Sequence, residues 1–95
     1  MKTFNEDLNT AVIVSKWVFR KGEPILNVFH HEDDGMWEFT GATQGVEDSD
    51  YNVTGLGEAI SYDSTLLAVS DLPLGYRATR PSPNDPWKFS RVSQK

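Results

Sequence analysis

The chain has 95 residues, no cysteine and a net charge of −5. That length fits one domain. The missing thiols exclude a disulfide framework, thiolate metal sites and a cysteine nucleophile, and they agree with a reducing, cytoplasmic location.

Residues 1–10 are polar around Phe4 and Leu8 and are predicted to be a flexible lead-in. They carry no apolar core of a signal peptide. Residues 11–92 are expected to form a single α+β domain, and residues 93–95 a short tail. "AVIVS" (11–15) is a β-branched apolar run and predicts a central strand covered on both faces. "KWVFRKGEP" (16–24) fits either a continued strand or a short turn around Gly22 and Pro24. "ILNVFHH" (25–31) alternates, with Leu26, Val28 and His30 on one face and Ile25, Asn27, Phe29 and His31 on the other. "EDDG" (32–35) reads as a hairpin connection, because Asp-Gly suits the positive φ of such turns. "MWEFTG" (36–41) is the returning strand, with Trp37 and Phe39 on one face.

Residues 41–52 lack periodicity and predict a loop. "TGLGEAISY" (54–62) predicts a short helix with Thr54 as N-cap. "DSTLLAVSDLP" (63–73) predicts a second, capped by Asp63 and ended by Pro73. "LGYRATR" (74–80) reads as a strand and "WKFSRV" (87–92) as an edge strand, separated by the proline-broken "PSPNDP" (81–86). The expected fold is α+β: an antiparallel sheet of four or five strands with one or two short helices packed on it.

The charge is uneven. Residues 1–31 sum to +1 and residues 72–95 to +4, whereas residues 32–71 carry ten acids and no Lys or Arg. Nucleic-acid binding rests on phosphate neutralisation by Lys and Arg, so this distribution argues against a nucleic-acid partner. It argues equally against an anionic membrane surface. No apolar run approaches the ~20 residues that span a bilayer. A basic protein partner is the expectation, with the chain a monomer or a weak homodimer.

"HHEDDG" (30–35) has the composition of a metal site. Successive strand residues point to opposite faces, so His30 and His31 aim apart. A calcium loop needs oxygens at alternating positions through ~12 residues, which this stretch does not supply. The turn reading is preferred, with Asp33 and Asp34 bonding the local backbone. A metal site through His30, His31 and Asp34 is the lesser alternative. The serines lie in no nucleophile-elbow context, and "GLGEAI" (55–60) lacks the Lys and spacing of a phosphate loop. The expectation is therefore no enzyme, no cofactor and no metal. The three Trp are predicted to be core residues, Trp37 above all.

Taken in order, "VSK" (14–16), "EPILNVFHHE" (23–32), "DGMWEFTG" (34–41), "EDSDY" (47–51) and "LGEAISYDSTLLAVSDLPLGYRATR" (56–80) resemble the immunity protein 33-like family of small bacterial domains, long catalogued as of unknown function. Met36 stands between Gly35 and Trp37, where that family sets the two side by side. The resemblance implies a cytoplasmic protein that occludes a toxin and has no catalytic residues. Acidic surfaces of that type suit basic toxins. The residues expected to contact a partner are Asp33, Asp34, Glu47, Asp48, Asp50 and Tyr51. The alternative is a housekeeping structural or regulatory domain, homodimeric through an edge strand such as 87–92.

Overall fold

In a computed structural model of the chain, residues 3–43 and 48–92 are described. β1 (Ala11–Ser15) ends where Ser15 caps α1 (Lys16–Lys21), its hydroxyl accepting the Trp17 N–H at 3.3 Å. Arg20 and Lys21 lie in the last turn, where cations complement the helix dipole. Gly22 then closes the helix at φ 71°, a left-handed conformation that glycine adopts without steric cost. The ambiguous stretch 16–24 is thus a helical turn rather than more strand.

β2 (Asn27–His30) and β3 (Trp37–Thr40) form the expected hairpin, and Gly35 takes the required positive φ, 74°. A 3-10 turn (Asp48–Asp50) leads into β4 (Tyr51–Gly55), which the sequence reading missed by assigning residues 41–52 to a loop. α2 (Leu56–Tyr62) follows directly, one residue later than a Thr54 cap would have set it. Asp63 caps the next segment as expected, but Ser64–Val69 is a 3-10 helix. β5 (Tyr76–Thr79) and β6 (Lys88–Arg91) complete the chain.

The α+β class agrees with the sequence reading; the sheet is larger and mixed. Among the described residues it has six strands in the order β4-β1-β3-β2-β5-β6. Every pairing is antiparallel except β1 with β3, which run parallel with Ile13 opposite Glu38. The register aligns rows across one face: Val12, Trp37, His30 and Tyr76, then Val14, Phe39, Val28 and Ala78. The helices pack on this face. Val18, Leu56, Ala59, Leu66 and Val69 join those strand residues in one buried cluster.

Within residues 3–10 the chain meets the sheet at Phe4 and Glu6. Phe4 is buried with its ring edge-on to Trp37, centroids 4.9 Å apart, and Glu6 Oε2 accepts the Trp37 indole N–H at 2.9 Å. Trp37 is therefore the core residue expected of it, 1% exposed, while Trp17 and Trp87 are half-buried.

The helix layer is tied to the sheet by Arg80, whose side chain is 2% exposed. Its guanidinium uses all five N–H donors. Nε and Nη2 donate to Ile25 O, Nη2 also to Asp63 Oδ2 at 2.9 Å, and Nη1 to Thr65 Oγ1 and Pro83 O. Trp87 lies under the group, 4.1 Å from its centroid. Removing one partner of such a group strands the other charge in the interior, at about 3–5 kcal/mol. Arg80→Met is expected to lose stability on that scale in urea unfolding. Arg80→Lys should recover less than half of it, because an ammonium cannot reproduce the fork. Full recovery by Lys would show that the charge alone matters.

Candidate functional site

The "HHEDDG" stretch is a turn. His31 N–H donates to Met36 O, and Gly35 N–H donates to His31 O, both at 2.9 Å. Asp34 Oδ1 accepts the Met36 N–H at 3.0 Å, so this carboxylate serves the turn itself. Asp33 is exposed and lines a hollow of about 290 Å³ with His31, Glu32, Gly75 and Val92.

The two histidines diverge to opposite faces of the sheet. His30 stacks on Trp37 with centroids 3.9 Å apart, and its Nδ1 lies 2.8 Å from Leu72 O. A carbonyl only accepts, so Nδ1 carries a proton. Nε2 is left facing Glu6 Oε2 at 4.0 Å. His31 lies on the other face, its Nε2 2.7 Å from Glu38 Oε1. Among the described residues no group of three or more His, Asp or Glu side chains is placed to hold a metal ion.

The residues expected to form one contact surface are divided between two ends of the sheet. β3 runs from the turn at 31–36 to the loop beyond Thr40, so Asp33 and Asp34 are separated from Asp50 by at least ~13 Å of strand. Glu47 lies outside the described residues. Asp48 belongs to the 3-10 turn. Asp50 is 8% exposed, and its Oδ1 is 3.0 Å from Lys16 Nζ. Its carboxylate anchors the β4 entry to α1. Tyr51, half-buried, faces Ile13, Glu38 and Val53.

Strand direction brings other acids to the end occupied by Asp33 and Asp34. Glu6 and Asp7 lie just before β1 starts there, Glu32 lies in the turn, and Asp71 lies just before β5 returns. Linear spacing hid this cluster, because its members come from three separate segments.

Two groups beside β4 have shifted titrations. Glu58 is held below the usual carboxylate range by the Thr54 hydroxyl and then by the Gly55 N–H. Tyr62 is pushed above its ordinary value by burial, then by the charges of Asp63 and Glu23. Its hydroxyl lies 2.9 Å from both Val18 O and Glu23 O, and its single proton serves one carbonyl at a time.

Comparison with family models, curated proteins and solved structures gave no match. Among the described residues no helix is long and apolar enough to cross a membrane.

Two outcomes follow from this geometry. Asp50→Lys sets an ammonium beside Lys16 and should cost about 3 kcal/mol or more, lowering the melting temperature by ~10 °C or more. A melting temperature equal to wild type would show that the pair carries no weight. For Tyr62, a raised folded pKa means stability that is present below its unfolded value near 10 and lost as pH rises through the folded value. Tyr62→Phe should therefore flatten the decline of stability above about pH 10. An unchanged alkaline slope would contradict the hydroxyl's placement.

Proposed function

We propose that the chain is a small non-enzymatic protein-binding domain for a basic partner, in its most specific form an immunity-type inhibitor that occludes a basic toxin. The observation that carries this reading is the gathering of carboxylates at one end of the sheet: Glu6, Asp7, Glu32, Asp33, Asp34 and Asp71. Five of these residues are exposed and Glu6 is half-buried. Acids exposed at one end of a protein raise the on-rate of a basic partner and select for opposite charge.

The opposite end supports this by contrast. There Lys16 meets Asp50 and Arg80 meets Asp63 in close ion pairs that tie secondary-structure elements together. The resemblance of the hairpin and helical segments to immunity proteins points the same way. The reactive side chains near the acidic end have structural duties: His30 holds Leu72 O, and His31 holds Glu38. A homodimer seam along 87–92 is disfavoured by Lys88 and Arg91 on β6, since edge cations deter strand pairing.

The test is affinity capture with wild-type chain and an Asp33→Lys/Asp34→Lys variant, at low and moderate salt. The expected result is a basic protein held by the wild type, weakened by salt and bound about tenfold or more less tightly by the variant. A partner that is neutral or acidic, or that ignores both salt and substitution, would overturn the reading.

A further inference from the structure

Among the described residues, β4 is an edge strand without the devices that usually guard one. Natural edges are blunted by Lys, Pro, bulges or covering elements. β6, at the opposite edge, follows that practice, with Lys88 and Arg91 in the strand and Pro86 before it. β4 reads Tyr-Asn-Val-Thr-Gly, with no charge and no proline, and Val53 at its centre is 70% exposed.

The orientation of its backbone follows from one hydrogen bond. Leu56 N–H donates to Thr10 O at 2.8 Å, which extends the β1–β4 register by one pair. Hydrogen-bonded and non-hydrogen-bonded pairs alternate along an antiparallel ladder. Thr54 and Asn52 therefore turn their backbone groups toward β1. Val53 and Tyr51 turn theirs outward.

A hollow flanks this edge on each face of the sheet. On the helix side it measures about 580 Å³, between β4 and the α2 stripe Gly57, Glu58, Ser61 and Tyr62. Phe19 and Tyr62 floor it, edge to face at 5.2 Å and each 39% exposed. On the other face a hollow of about 460 Å³ is lined by Ile13, Glu38, Tyr51 and Val53. Each hollow thus combines an apolar or aromatic floor with one carboxylate, Glu58 or Glu38. Lys and Arg fit such sites, laying their alkyl stems on the floor and their charged heads on the acid.

We propose that β4 accepts an extended basic segment of a partner protein as an added strand. The main chain would pair with Val53 and Tyr51, with basic side chains entering the hollow on one face and the intervening apolar side chains packing in the hollow on the other. This rests on the basic-partner reading above and adds to the acidic end a second contact, with its mode of binding. The charges select this occupant over a second copy. Strand-to-strand self-pairing would bring together two segments that each carry ten acids and no Lys or Arg between residues 32 and 71.

The test uses two capped peptides, one alternating Lys with Val and one of lysine alone with the same charge, followed by amide NMR and hydrogen exchange. Binding of the alternating peptide should slow exchange at Tyr51 and Val53 by about tenfold or more. Val53→Pro should weaken that peptide about tenfold or more while leaving oligolysine binding unchanged. Proline is tolerated there because the lost N–H faces outward. If the variant fails to fold, an alternating peptide N-methylated at every second residue serves instead, and it should fail to bind the wild type. Shifts confined to residues 31–36 would overturn the edge mode and leave the basic-partner reading standing. Failure of both peptides to bind would overturn both. Protection of Val53 that rises with protein concentration, without peptide, would assign the edge to a second copy and overturn the proposal.

Discussion

Arg80 is the point at which sheet and helix layer are locked together. It sits one residue beyond β5, reaches back to Ile25 just before β2, and grips Asp63 between α2 and the 3-10 helix. Asp63 divides its carboxylate: Oδ2 takes the guanidinium, while Oδ1 takes the Thr65 N–H and hydroxyl. The same residue therefore caps a helix and holds a buried cation. Such an arrangement contributes little net energy compared with an apolar substitute, since desolvating the ions offsets most of the attraction. Its value lies in geometry. A planar fork with every donor used admits one relative placement of the segments around it. The Trp87 N–H, buried without a partner among the described residues, is a cost of about 1–3 kcal/mol that the stacking against Arg80 partly offsets.

The far end of the sheet is held by a different kind of contact. There Trp37 joins the lead-in to the sheet through Phe4 and Glu6, and His30 joins it to Leu72. Aromatic packing and single hydrogen bonds do the work that the Arg80 fork does at the other end. The consequence is electrostatic. At the Arg80 end, acids of the long anionic stretch are matched with Lys16 and Arg80. At the Trp37 end, the acids are held at the surface by short turns and chain termini. A charge run that looks continuous in sequence is thus divided in space between the two ends of the sheet.

Much of this was legible in the residues. Period-two alternation placed Val28, His30, Trp37 and Phe39 on the core face, and Asp-Gly placed the hairpin. Alternation along "YRATR" also sets Arg80 on the same face as Tyr76 and Ala78, a buried-arginine signal that the sequence reading passed over. β4 was not legible. "YNVTG" is half polar because it lies at an edge, and its ladder to β1 spans some forty residues. No local pattern announces a partner that distant. The parallel β1–β3 pairing is hidden for the same reason, since it depends on the intervening hairpin being inserted beside β1. The acids between residues 33 and 51 are neighbours in sequence but not in space, because the chain runs the length of β3 between them and they emerge at opposite ends.

An uncharged edge strand would ordinarily expose a protein to self-association. β6 meets that hazard with local cations, but β4 has none, and cations there would repel the basic segment inferred to dock on it. The surrounding carboxylates resolve the conflict. Glu58 and Glu38 flank β4 on its two faces, so a second copy approaching in register meets like charge on both sides, while a basic strand meets opposite charge. Discrimination then comes from repulsion of the wrong partner as much as from attraction of the right one. On this view the acidity of residues 32–71 and the bareness of the β4 edge are one feature: the first makes the second safe to keep open.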